Sequence, residues 1–306
     1  MPGRFVIQKF LNQAKRADCD FVVIEVTSEG IRQFRHKFIN FDTAVFTNLS
    51  PEHIESHGSF ENYRNEKLKL FKICKNIHVI NSDDKNAEYF LNVPAKRKIG
   101  FSIKDAKNLD LKMQVLGEFN LYNALAAVCV ARAYGIDFNV CKKALEKAAG
   151  IPGRMEHIQK EPFKVIIDYA HTPEQLEVVY KSLGENLVCV LGSCGGGRDK
   201  WKRPVLGEIA SRYCDKIIIT NEDPYDELPL EIIEQVKSGV SSYKLQVTST
   251  ILDRKEAIEK AINLAKQGDT VIITGKGSEP LMCVANNKKI PWSDKKFAKE
   301  AIDKKY

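Results

Sequence analysis

From residue 151 onward the chain alternates short apolar runs with helical repeats, and that alternation leaves few folds open to it. FKVII (163–167) precedes PEQLEVVYKSL (173–183), and LVCVLGS (187–193) precedes RPVLGEIASRY (203–213). KIIITN (216–221) precedes PLEIIEQVKSG (229–239), and DRKEAIEKAINLAK (253–266) precedes TVIITG (270–275). Strands apolar on both faces, each a helix apart, predict an α/β fold: a parallel sheet covered on both sides. Ligands on such sheets bind beyond the carboxyl ends of the strands. Those ends read DYAHTP (168–173), GSCGGGRDKWKR (192–203), NEDPYDE (221–227) and GKGSEP (275–280). All four are polar and rich in Gly, Pro or charge, so they predict one ligand-binding rim.

The Gly/Pro break GIPGR (150–154) divides the chain into a first domain, 1–150, and a second, 151–306. In the first, FVVIEV (21–26), TAVFTN (43–48) and IHVIN (77–81) read as buried parallel strands. RKIGFSI (97–103) and LKMQVLG (111–117) alternate and suggest a small antiparallel excursion. NLYNALAAVCVARAYG (120–135) has helical spacing with Gly135 as its stop, and 138–149 reads as another short helix.

Composition narrows the function. The chain is 43% hydrophobic and 28% charged, with a formal net charge of +7, ordinary for a globular protein. The positive charge is spread thinly, which argues against nucleic-acid binding and suits a Lys-rich surface or an anionic small ligand. Its one dense tract, DKKFAKEAIDKKY (294–306), reads as an exposed terminal helix. The eight cysteines form no C-x-x-C pair and sit in apolar runs such as LVCVLG, as buried free thiols in a reducing compartment would. No apolar run approaches 18 residues, so no membrane span is expected and the cytoplasm is the default.

Single motifs leave alternatives open. The glycines of GSCGGGRDKWKRP let a backbone approach a ligand, and Arg198, Lys200, Lys202 and Arg203 would hold an anion at a helix start. A flexible basic loop reads the same way. His53 with the distant Glu25 could share a cation such as Mg²⁺, or His53 could merely cap or pack. Thr27, Ser28, Gln33 and Arg35 offer hydroxyls and a guanidinium to a carboxylate or phosphate, or simply form a polar helix entry. NEDPYDELP is an acidic turn that a helix dipole alone would explain.

Taken in order, FTNLSPEH followed by HG, then GEFNLYNALAA, GIPGRME, DYAHTP, GGGRDKWKRP, DP-x-x-E-x-P and GKGSE, the chain resembles the Mur ligases over nearly its whole length. Within them it is most similar to the UDP-N-acetylmuramoyl-tripeptide synthetases. The resemblance implies part of a parallel-sheet central ATPase domain followed by a Rossmann-like ligase domain. It implies ATP-dependent amide formation: ATP phosphorylates the carboxylate of UDP-MurNAc-L-Ala-D-Glu, and the amine of L-lysine or meso-diaminopimelate displaces phosphate. ATP and Mg²⁺ are the implied cofactors. Glu25, His53 and a carbamylated Lys67 match the metal ligands, and Lys67 and Arg154 are the implied catalytic residues. Thr27, Ser28, Gln33 and Arg35 match the UDP-MurNAc-dipeptide region. Asn123, Arg154, Asp168 and His171 match nucleotide contacts, with Asp168 suited to ribose hydroxyls. Arg198, Asp223, Gly275 and Glu279 match the pocket for the incoming amino acid. The competing readings are a folylpolyglutamate- or cyanophycin-type ligase and a non-catalytic nucleotide- or amino-acid-binding module.

Two departures carry expectations. The family's uridine domain and P-loop are not found in these 306 residues, and no G-x-x-x-x-G-K-[ST] occurs in them. Weak activity of the chain alone is therefore expected, with a fragment or a completing second polypeptide as the alternatives, and residues 1–150 should be the less stable half. Where diaminopimelate ligases usually carry D-N-P-R, the chain has Glu222, Asp223, Pro224 and Tyr225. Tyr225 cannot grip a second carboxylate bidentately as Arg does.

Overall fold

A computed structural model describes residues 1–106, 109, 111–114 and 117–306. It divides into two compact units, 1–113 with 118–148, and 114–117 with 149–306.

In the first unit, α1 (Arg4–Arg16) and α2 (Ser28–Arg32) precede β1 (Thr43–Phe46). Then come α3 (Ile54–His57), α4 (Phe60–Ile73), β2 (Ile77–Asn81), α5 (Ala87–Leu91), β3 (Arg97–Phe101) and α6 (Ile103–Ala106). Helices α7 (Glu118–Ala133) and α8 (Phe138–Lys147) close the unit. The sheet is β1-β2-β3, all parallel. Every residue of β2 is buried. One layer of core holds Phe46, Leu68, Phe71, Ile80 and Phe90, and another holds Ile77, Val79, Phe101 and Leu125. Local signals set the helix ends: Ser59 accepts from the Asn62 amide, Asp137 accepts from Asn139, and Gly135 turns at φ +81° after α7.

Three sequence expectations fail here. FVVIEV is extended but in no ladder, with Phe21 59% and Val23 94% exposed. No strand among the described residues pairs with it, and its one ring contact is Phe21 edge-on to Tyr134 at 5.1 Å. RKIGF joins β2 in parallel, where an antiparallel excursion was expected, because α5 carries the chain back across the sheet. Of LKMQVLG, residues 115 and 116 lie outside the described residues and 111–114 carry no strand.

The second unit bears out the parallel sheet. Its elements are β4 (Glu156–Gln159), β5 (Lys164–Ile167), α9 (Pro173–Leu183), β6 (Leu187–Leu191), α10 (Lys202–Tyr213), β7 (Lys216–Thr220) and α11 (Pro229–Lys237). They continue through β8 (Thr248–Ile251), α12 (Arg254–Leu264), β9 (Thr270–Ile273), the hairpin β10 (Leu281–Val284) and β11 (Lys288–Pro291), and α13 (Asp294–Lys305). The six-stranded order is β4-β5-β9-β6-β7-β8, with only β4 antiparallel. Alternate strand residues Val165, Ile167, Val188, Val190, Ile218, Val271 and Ile273 pack on Ala257, Ile258, Ala261 and Ala298 of α12 and α13. So α13 is not a free-standing helix: Ala298 and Ala301 are buried, and Lys305 donates to the Ile262 and Ala265 carbonyls while Lys295, Lys296, Lys299 and Lys304 are exposed. Arg254 and Asp294, both fully buried, join the two helices at 2.8 Å.

The cysteine expectation is corrected in part. Cys189 of β6 and Cys214, between α10 and β7, form a disulfide, their Cα atoms 6.1 Å apart. The other six are free. No helix among the described residues is long and apolar enough to cross a membrane.

Candidate functional site

Two groups of candidate residues lie on separate units. On the first unit, Thr27 caps α2 by accepting the Gly30 amide at 3.0 Å. Ser28 is 2% exposed, and its hydroxyl meets His57 Nε2 at 3.1 Å. Arg32 donates to the Ser56 carbonyl at 2.8 Å, so α2 is tied twice to α3. Gln33 accepts from Arg35 Nε at 2.9 Å, and Arg35 also donates to the Met1 carbonyl. Of the four residues expected to meet a carboxylate or phosphate, Ser28 is thus turned inward and Gln33 and Arg35 bind each other.

Tyr63 of α4 lies against His53 and Lys67, two of the three residues expected to hold a metal, while the third, Glu25, is exposed. Its ring faces His53 at 6.0 Å and His57 at 5.4 Å, and Lys67 Nζ lies 5.2 Å from its centroid. His53 stands in the left-handed region, φ 57°, 3.5 Å from Glu52. Burial pushes the Lys67 ammonium below the usual lysine value, against the pull of Glu52 and Glu25. Burial likewise lowers His57, helped by Arg32. Among the described residues no three His, Cys, Asp or Glu gather to hold a metal. These side chains as they stand fall short of a cage, and a further anionic ligand is needed to complete one. Asn123 is exposed on α7, with its amide directed at Asn120.

The second unit brings its candidates together at the carboxyl rim. Asp168 ends β5, is 5% exposed, and accepts from the amides of Met155 at 2.8 Å and Ala170 at 2.7 Å. Burial raises it above the usual carboxylate value, outweighing those hydrogen bonds. Both of its oxygens are thus engaged in holding the loop together. The Arg154 guanidinium lies over the Tyr169 ring, 4.4 Å from its centroid, and His171 meets the same ring edge-on at 4.8 Å. Gly153 has φ +70°, and a side chain there would strike the backbone of Gly277 and Ser278, so GIPGR and GKGSE pack directly together.

Among the residues expected to line the amino-acid pocket, Asp223 and Glu279 meet Lys276, which is 1% exposed and donates to Asp223 Oδ2 at 2.7 Å and Glu279 Oε2 at 2.6 Å. Burial alone would lower its pKa; the two carboxylates outweigh burial and raise it. Asp223 Oδ1 accepts from the Cys283 amide at 2.7 Å, which fixes the acidic turn to β10. Gly275, at φ +103°, leaves room for the Glu222 carboxylate, which accepts from the Cys194 thiol at 3.1 Å. The Tyr225 ring covers Gly196, and burial keeps its phenol protonated well past the usual range, with Cys283 adding to this. Of the four cations on the glycine-rich loop, Lys200 pairs with Glu227, Lys202 donates to the His171 carbonyl, and Arg203 is buried on Glu227 and the Cys194 carbonyl. Arg198 remains exposed.

Sequence reading missed Tyr169 and Lys276 as parts of this site. The i, i+3 spacing of Lys276 and Glu279 was the available signal.

The Mur ligase middle domain matches residues 1–108, and the Mur ligase glutamate ligase domain matches residues 153–277. The chain is 35% identical over 333 residues to a UDP-N-acetylmuramoyl-L-alanyl-D-glutamate–2,6-diaminopimelate ligase of Syntrophomonas wolfei, covering 98% of the chain and 68% of that protein. It is 33% identical to a UDP-N-acetylmuramyl-tripeptide synthetase of Roseiflexus sp., covering 97% of the chain and 67% of that protein. A solved structure of a UDP-N-acetylmuramoyl-L-alanyl-D-glutamate–2,6-diaminopimelate ligase superposes with a TM-score of 0.59 at 29% identity, over 99% of this chain and 69% of that one.

Proposed function

From the premise that the chain belongs to the Mur ligase family, whose members are ATP-dependent ligases, we propose that it serves in adding L-lysine or meso-diaminopimelate to UDP-MurNAc-L-Ala-D-Glu. A carboxylate is a poor electrophile. Transfer of the ATP γ-phosphoryl to one of its oxygens makes phosphate the leaving group. The amine then attacks the carbonyl carbon, loses a proton, and phosphate departs with the C–O bond electrons.

The observation that carries this reading is the rim of the second unit. Arg154, Asp168 and His171 would meet the nucleotide, and Arg198, Asp223, Tyr225, Gly275 and Glu279 the incoming amino acid. Arg198, exposed beside Tyr225, suits a substrate carboxylate. On the first unit, burial lowers the Lys67 pKa, which favours the neutral amine that carbamylation by CO₂ requires. The carbamate would supply the missing anionic ligand, so that Glu25, His53 and Lys67 could hold Mg²⁺, whose role is to neutralise phosphate charge. Thr27, Ser28, Gln33 and Arg35 would face the UDP-MurNAc-dipeptide, and Asn123 the nucleotide. We place the reaction in the cytoplasm, with no role for nucleic acid or membrane.

These 306 residues contain no P-loop lysine, so the β- and γ-phosphates lack that cradle within them. A segment bearing the uridine domain and P-loop, in the same polypeptide or a separate one, would supply it. The test is phosphate release with UDP-MurNAc-L-Ala-D-Glu, ATP and each amine, beside calorimetry of each ligand. The expected result is ligand binding with little turnover by the chain alone. Robust turnover by these 306 residues would overturn the need for that segment, and absence of amine and nucleotide binding would overturn the ligase reading.

A further inference from the structure

We propose that Tyr169 is a positioning residue that couples the nucleotide side of the second unit's rim to its amine side; the inference rests on the ligase reading above. Tyr169 follows Asp168 on the loop leaving β5 and is half-buried. Its ring carries the Arg154 guanidinium at 4.4 Å and the edge of His171 at 4.8 Å. Gly277 closes the space on another side: a Cβ there would lie 2.9 Å from Tyr169 Cβ. The hydroxyl donates to Glu279 Oε1 at 2.8 Å. Glu279 in turn accepts from Lys276 at 2.6 Å, and Lys276 donates to Asp223 at 2.7 Å.

A continuous run of contacts therefore joins Arg154, Tyr169, Glu279, Lys276 and Asp223. Its ends belong to different ligands. An anion that draws Arg154 changes the load on the Tyr169 ring. Gly277 and His171 confine that ring, so it cannot shift without altering the bond to Glu279. Burial, then Glu279, keeps the proton on the phenol oxygen, so the hydroxyl stays a donor throughout the working pH range. An amine that reorients Glu279 pulls on Arg154 by the same path, as linkage requires. Tyr169→Phe keeps the ring and its contacts with Arg154, His171 and Gly277. It cuts only the hydroxyl link, which a space-filling role would not need.

The experiment is calorimetry on the full 306-residue chain, titrating L-lysine and meso-diaminopimelate separately with and without saturating ADP. In the wild type, ADP should change the Kd of the bound amine about fivefold or more, and the amine should change the Kd of ADP by the same factor. In Tyr169→Phe that factor should fall below about twofold. Arg154→Lys, which removes the planar group from the ring and keeps the charge, should lower it independently. Thermal unfolding checks that both variants fold. Equal coupling in the wild type and Tyr169→Phe, or binding of both ligands to the wild type without coupling, overturns the role of Tyr169 and leaves the ligase reading intact. Failure of either ligand to bind the wild type overturns the reading of this rim, and the coupling with it.

Discussion

Lys276 shows how one buried cation can organise a site. It gives up hydration to bind two carboxylates, and its folded pKa lies above the ordinary lysine value, with burial opposing and the carboxylates prevailing. A base with a raised pKa stabilises the fold below its unfolded pKa, about 10.4, and that contribution is lost as pH rises through the folded value. Lys276→Met should therefore cost about 3 kcal/mol at neutral pH, since Asp223 is left buried without its cation. The gap between variant and wild type should close only above about pH 10; urea denaturation across pH 7–11 measures it, and a gap that closes near neutrality counts against this account. Tyr225 poses a different residue-scale question. Its ring lies over Gly196 beside the exposed Arg198, and it offers a second substrate carboxylate no fork of donors. Tyr225→Arg should raise the affinity for meso-diaminopimelate relative to L-lysine by about tenfold, the scale of one charge-assisted hydrogen bond. Unchanged relative binding in calorimetry would remove Tyr225 as the selector.

At the scale of elements, helices α12 and α13 depend on a pair that water never reaches. Arg254 donates twice to Asp294, at 2.9 and 2.8 Å, and also to the Thr274 carbonyl. Asp294→Ala leaves that guanidinium buried without its counter-ion and should cost about 3–5 kcal/mol in urea unfolding. FVVIEV gives the opposite expectation. Val23→Asp should change stability by no more than about 0.5 kcal/mol, because the side chain is already in solvent; a large loss would mean that the run is packed in solution. The contrast explains what could be read from the sequence. KVII, LVCVL, KIIIT and TVII each lie between helices that supply a cover, so period and neighbours agree and the strands were legible. FVVIEV has the same composition, but strand pairing depends on a partner, and composition carries no information about one. The antiparallel β4 and the β10–β11 hairpin were missed because their short runs are half exposed and carry little apolar signal. In the site, residue types were legible and their engagement was not. Asp168 read as an acceptor for ligand, yet both oxygens serve backbone amides. Lys202 and Arg203 read as anion ligands, yet both are buried in the fold. Burial of a charge depends on contacts made across the sheet, which local spacing does not encode.

For the molecule as a whole, the two units differ in how much apolar surface they cover. The second has a six-stranded sheet with helices on both faces and Ile166, Cys189, Ile217 and Ile272 completely buried. A disulfide closes a loop of 25 residues within it, which in the chain-entropy account adds roughly 3 kcal/mol. Among the described residues the first has three strands, and β1 pairs on one edge only. Phe5, Val6 and Phe10 of α1 are more than half exposed, as are Phe21 and Val23. Such surface contributes nothing to folding and leaves an edge open to association. Local opening follows low contact density, so protease should find the first unit first. Limited trypsin digestion should cut within 1–148 while 149–306 persists, and the resistant piece should keep its disulfide on a non-reducing gel. Survival of the first unit with loss of the second would mean that covered apolar area is not what ranks the two. Reduction should narrow the difference without reversing it, because the buried sheet remains after the disulfide is opened.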